Sequence, residues 1–117
     1  MARDGLTPAQ RLLIAQLEPQ TRAGRFLVLP EYRFAPPRRW RIDVAVHEYL
    51  IQDRYAPCLA IEIDGGAYIA GRHTRGAGVE ADNEKIAALA KAGYRFIRVT
   101  PKQVRNGTAY RWILEAL

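Results

Sequence analysis

The chain is poor in sulfur: its 117 residues include one cysteine, Cys58, and one methionine. A single thiol excludes an internal disulfide and any structural zinc site built on several thiolates, and it suits a reducing cytoplasm. Long apolar runs are also missing. The longest stretches without a charged residue, Tyr55–Ile61 and Gly65–Gly71, are far too short to cross a bilayer. The N-terminus has no apolar segment of the signal-peptide kind, so the sequence predicts no membrane partner. There is no internal repeat, no low-complexity tract, no Walker loop, no dinucleotide fingerprint and no HExxH. Lysine is scarce, three against fifteen arginines, and acids are outnumbered by bases, 12 to 18.

What is present is an ordinary globular balance, 49% apolar and 26% charged, at a length that suits one domain. The net charge of +6 suggests a polyanionic partner, and the planar fork of arginine suits phosphate. A GC-rich coding sequence is the competing source of so much arginine.

Local signals predict the order α-β-β-β-α-β-α. Thr7, Pro8 and Gln10 form a helix start, and the apolar face of Leu12, Leu13, Ile14 and Leu17 carries that helix to about Glu18. Pro19 to Gly24 breaks it. Phe26–Phe34 reads as a strand. Arg39–His47 alternates, with Trp40, Ile42, Val44 and Val46 on one face and Arg41, Asp43, Ala45 and His47 on the other. Cys58–Asp64 is a third strand. Glu80–Ala92 reads as a helix with acids in its first turn and Gly93 as its stop. Tyr94–Val99 is a fourth strand, followed by a short helical piece after Thr100-Pro101 and a last helix from Thr108. Three strands in succession predict an antiparallel meander, and the helix before the fourth predicts a crossover, hence a mixed sheet.

The chemistry concentrates on the polar face of the second and third strands. Asp43 lies on one, and Glu62 and Asp64, two apart, point the same way from the next. Their small neighbours Ala45 and Ala60 are expected to leave room for a cation and a phosphate. Carboxylates this close raise one another's pKa unless a cation joins them, and hard oxygen ligands suit Mg²⁺ or Mn²⁺. An exposed face with acids simply alternating is the competing reading. Arg72, His73 and Arg75 follow in a glycine-punctuated loop. The arginines suit phosphate oxygens and the histidine suits proton transfer. Asp82 and Lys85, three apart on the next helix, share a face that would turn Asp82 toward His73 and Lys85 toward the phosphate; a surface ion pair is the bland alternative. Arg38, Arg39 and Arg41, with Arg33, form a basic rim.

Element order and residues together resemble the PD-(D/E)XK, or restriction-endonuclease-like, nuclease superfamily. Arg41-Ile42-Asp43 stands for its first motif and Glu62-Ile63-Asp64 for its acid-x-Lys triplet. Within it, Ile61–Gly65, His73, Val79–Asp82 and Gly93–Arg98 resemble the very-short-patch-repair-like branch and small phage nucleases near it. The resemblance implies a restriction-endonuclease-like α-β-β-β-α-β core with an extra C-terminal helix, spanning 1–117 as one domain. It also implies an Mg²⁺-dependent endonuclease acting on DNA. Asp43 would be the principal metal ligand, with Glu62, Asp64 and the main-chain carbonyl of Ile63. His73 and Asp82 would form a proton-transfer pair, and Lys85, Arg72 and Arg75 would steady phosphate charge. Two departures are plain: position 64 holds Asp where the motif has Lys, which Lys85 is placed to replace, and one cysteine cannot build the branch's structural zinc. A catalytically silent DNA-binding module or accessory subunit of the same fold is the alternative, and an RNA-directed nuclease ranks below it. Cutting both strands would require a homodimer or two separate nicks. The last helix, with Trp112, Ile113, Leu114 and Leu117, reads as core ahead of a dimer seam.

Overall fold

The structure, a computed structural model, describes residues 5–64 and 76–117. Helix α1 (Pro8–Arg22) begins where Thr7 and Gln10 reciprocate. The Thr7 hydroxyl accepts from the Gln10 N–H at 3.2 Å, and the Gln10 side chain accepts from the Thr7 N–H at 2.8 Å. The expected break at Pro19 is corrected: the helix runs through it to Arg22. Proline removes one N–H donor there, but Ala15 four residues earlier is exposed, so water can serve its carbonyl. Buried Leu17 anchors the extra turn, closed by the Thr21 hydroxyl on the Leu17 carbonyl and by an Arg22–Glu18 ion pair.

Strands β1 (Phe26–Arg33), β2 (Arg41–Tyr49) and β3 (Tyr55–Ile63) form the expected antiparallel meander. After helix α2 (Gly76–Lys91), β4 (Arg95–Val99) returns parallel to β3, giving a mixed sheet of order β1-β2-β3-β4. Two short helices, α3 (Pro101–Arg105) and α4 (Thr108–Ala116), complete the chain. Helix α2 starts four residues before the expected Glu80, so its first turn carries no acid. Glu80 and Asp82 therefore do not act as complements to the helix dipole.

The β2–β3 connection, residues 50–54, has at its tip a tight turn in which both central residues, Gln52 (φ 52°) and Asp53 (φ 58°), are left-handed, closed by Arg54 N–H on the Ile51 carbonyl at 3.1 Å. This type I′ geometry matches strand twist but disfavours most side chains. Gln52→Asn with Asp53→Gly is expected to stabilise the protein by about 1 kcal/mol. An unchanged urea midpoint in the double variant would contradict that account.

Helices cover both faces of the sheet. On one, α1, α3 and α4 enclose Leu13, Leu17, Val44, Val46, Leu59, Ile61, Val99, Val104 and Ile113, each at most 1% exposed. Burying side chains of this size contributes about 1.5–3 kcal/mol apiece. Ile113 and Ala109 place α4 in this core, with Trp112 outside it. On the other face lie Ile42, Ala45, Ala60, Leu89 and Tyr94, flanked by Tyr32, Phe34 and Phe96.

Two expectations are corrected here. Ile42 does not share a core with Val44 and Val46, because regular pairing lapses at Asp43 between them. Ala45 and Ala60 are fully buried in the second core and leave no space for a cation or phosphate. Their small size lets Leu89 and Tyr94 approach the sheet.

Gly93 (φ 96°) does end α2. Its N–H bonds the Ala90 carbonyl at 3.1 Å and that of Tyr94 bonds the Leu89 carbonyl at 3.0 Å, while Leu89 and Tyr94 share the second core. This turn delivers the Tyr94 hydroxyl to His47 Nε2 at 2.6 Å, with Tyr32 edge-on to the imidazole. Burial pushes the Tyr94 phenol up to about 12, with Tyr32 adding to it, so the hydroxyl keeps its proton. Burial also lowers the His47 pKa below its ordinary 6.5. The unfolded chain thus binds a proton near pH 6.5 that the folded one resists, and stability is lost as pH falls through that value toward the folded pKa. The urea midpoint should therefore drop between pH 7 and pH 5 more in the wild type than in His47→Gln. Parallel pH profiles would refute this.

Candidate functional site

Regular pairing of β1 with β2 lapses at Asp43, and the β2–β3 ladder starts only at Val44. The Asp43 carboxylate takes up the slack by accepting from the Ile63 main-chain N–H at 2.7 Å. A carboxylate is thereby held against the end of β3 by a charge-assisted bond. Glu62, one residue earlier, lies close enough to Asp43 for the two carboxyls to interact.

Lys85 reaches into the same place from α2. Its ammonium donates to Glu62 Oε1 at 2.5 Å and to the Arg41 carbonyl at 2.7 Å. The side chains of Lys85 and Glu62 are 24% and 16% exposed, so water screens the pair weakly. Burial pushes the Glu62 carboxyl up; Lys85 pulls it down and the Asp43 charge raises it, leaving it at about 7 against an ordinary 4.5. An ammonium is thus brought to the acid pair from the following helix.

Beside this group is a small cavity of about 90 Å³, lined among others by Glu62, Asp64, Asp82, Lys85, Phe96 and Arg98. Asp82 and Lys85 line it together, as their spacing predicts. Asp64 lies there too, but its carboxylate faces Arg98, with Nε at 3.2 Å from Oδ2. Among the described residues, no group of three or more His, Cys, Asp or Glu side chains lies close enough to hold a metal ion. The donors that do gather are the carboxylates of Asp43 and Glu62, with the Ile63 carbonyl next in the chain. One or two carboxylates completed by water and substrate phosphate is a set that suits Mg²⁺, which sheds its water reluctantly. Two interacting carboxyls, one held near neutrality, are also what a divalent cation relieves.

The basic rim is only partly available. The Arg38 guanidinium stacks over Trp40 at 3.8 Å from the ring centre and pairs with Glu84 on α2. It straps the β1–β2 connection to the helix that carries Lys85. Arg41 is exposed and lies 3.6 Å from Glu31, and Arg39 is exposed. Arg72, His73 and Arg75 lie outside the described residues.

Three residues of this neighbourhood were not legible as such in the sequence. Arg98 pairs in register with Glu62 across β3–β4; its place on the Phe96 face of β4 is a signal only once parallel pairing is known. Gln10 gives the sequence signal of a helix cap and nothing more, and Glu31 gives none. Comparison with family models, with curated proteins and with solved structures finds no match to this chain.

Proposed function

We propose that the protein is a metal-dependent endonuclease acting on DNA, built on a restriction-endonuclease-like version of this mixed α/β fold. The observation that carries the reading is the convergence of Asp43, Glu62 and Lys85 from β2, β3 and α2 at the edge of one cavity. An acid pair with an adjacent half-buried lysine suits phosphodiester hydrolysis, in which negative charge builds up on the phosphate and on the leaving oxygen.

Mg²⁺ or Mn²⁺ bound by Asp43, Glu62 and the Ile63 carbonyl would supply Lewis-acid polarisation of the phosphate and acidify the attacking water. The chain's own residues do the rest. The Ile63 N–H fixes the Asp43 carboxylate. Lys85 favours the ionised form of Glu62 and brings a positive charge to the cavity where the phosphate sits. Arg98, held by Asp64, offers a second cationic group on the β4 side. Asp82 lines the same cavity, and His73, outside the described residues, would be its partner in proton transfer. Arg39 and Arg41, with Arg72 and Arg75, contact the DNA backbone, which makes binding strongly salt-dependent.

The test is cleavage of plain duplex, supercoiled plasmid, flap, four-way junction and single strand in Mg²⁺, Mn²⁺ or EDTA. Cutting with either metal and none in EDTA supports the nuclease, and the preferred substrate names its task. Duplex binding without cutting in either metal would favour the silent binding module instead.

A further inference from the structure

We propose, resting on the nuclease reading of that site, that Gln10 and Glu31 form a positioning pair that aims the Asp43 carboxylate at the cation. Gln10 is only 3% exposed. Its amide is fully used. The oxygen accepts from the Thr7 N–H at 2.8 Å, and the NH₂ donates to Glu31 Oε2 at 2.8 Å and to the Asp43 carbonyl at 3.1 Å. Asp43 is thus held at two points, its carbonyl by α1 and its carboxylate by the Ile63 N–H on β3.

Glu31 is the other half of the device. It sits within β1 at φ 50°, a left-handed conformation that an L side chain in a strand adopts only when its surroundings enforce it. Pro30 pairs with Val44 and Tyr32 with Ile42, and the ladder skips Glu31 and Asp43 between them. The strain in one strand and the lapse in pairing therefore occur at the same level of the sheet, beside the proposed metal ligand. Strain of this kind is stored where a function uses it. The chemistry of the pair is specific. Two N–H groups on one nitrogen satisfy a carboxylate and a carbonyl together. A carboxylate at position 10 would repel Glu31, and an apolar side chain would leave both acceptors without their donor.

The test uses the full chain, first without cation. Amide hydrogen exchange at Ile63 reports the Asp43 bond, with the Leu59 and Ile61 amides as references in the same strand. Mn²⁺ titration by calorimetry reports the cation site. Gln10→Met, which keeps the length of the side chain, is expected to speed Ile63 exchange about tenfold or more relative to the references and to weaken Mn²⁺ binding about as much. Glu31→Gly is the second variant. It relieves the positive φ, so it should melt no lower than the wild type while still freeing Ile63 and weakening Mn²⁺. A residue with a purely structural role would lose stability and exchange protection together. Glu31→Gln keeps the acceptor and should stay within about threefold of the wild type. Ile63 exchange unchanged in both Gln10→Met and Glu31→Gly, or speeded equally at Leu59 and Ile61, overturns the positioning pair. Wild-type protein that takes up no Mn²⁺ overturns the assignment of a cation, and the nuclease reading with it. Freed Ile63 beside intact Mn²⁺ binding in the two variants also overturns the pair's role.

Discussion

Replacing Asp43 by alanine is expected to abolish metal-dependent cleavage, with a loss on the order of 10³-fold or more. Lewis-acid stabilisation of a phosphoryl transition state amounts to several kcal/mol, and each 1.4 kcal/mol is roughly tenfold in rate. Asp43 is the side chain around which the proposed cation site is arranged, so most of that term goes with it. Alanine also leaves the Ile63 N–H without its acceptor, at a cost of about 1–3 kcal/mol in stability. A dead Asp43→Ala protein is therefore informative only beside Asp43→Asn, whose amide oxygen still accepts from Ile63 while the charge is gone. Both should fail to cut and the asparagine variant should melt near the wild type. Cleavage by Asp43→Asn within tenfold of wild type would remove Asp43 from the site.

The second large effect is at Lys85. Lys85→Met is expected to lower the cleavage rate by about 10²–10³-fold while the protein stays folded. Methionine fills the channel that the lysine stem occupies but donates neither to Glu62 nor to the Arg41 carbonyl. Breaking a buried ion pair usually costs several kcal/mol because the surviving charge is stranded. Here the surviving group has an escape, since Glu62 already holds its proton to about pH 7 and without Lys85 holds it further. The loss should therefore fall on activity more than on stability. Lys85→Arg should restore little, because a planar guanidinium cannot take the place of a compact ammonium between two acceptors at 2.5 and 2.7 Å. Single-turnover rates at saturating DNA separate this from a binding defect; a Lys85→Met protein that cuts within threefold of wild type would remove Lys85 from the proposed mechanism.

Much of the architecture was legible because its signals are local. The Thr7–Gln10 cap, Gly93 and the alternation of β2 and β3 act over a few residues, and they were enough to predict the order of elements, the meander and the parallel return of β4. Glu62 and Asp64 were legible as candidates because acids two apart on a strand share a face, Asp43 because it lies on the polar alternation of the strand before, and Lys85 because it stands three residues from Asp82 on a helix. That Asp82 and Lys85 would line one cavity followed from their spacing on a helix.

The sequence by itself determined which side chains were available: a basic, thiol-poor chain with three acids clustered on adjacent strands and Lys85 on the next helix. Only the tertiary structure decided how they were used. It separated Asp64 from the acid pair, because β4 brings Arg98 to within 3.2 Å of it. It buried Ala45 and Ala60 under Leu89 and Tyr94, because the chain turns at Gly93 directly onto them. It also gave Gln10 its contacts with Asp43 and Glu31. Those contacts span 33 residues in one case and depend on a strained φ in the other, and neither long-range hydrogen bonding nor backbone strain leaves a periodic trace in a sequence.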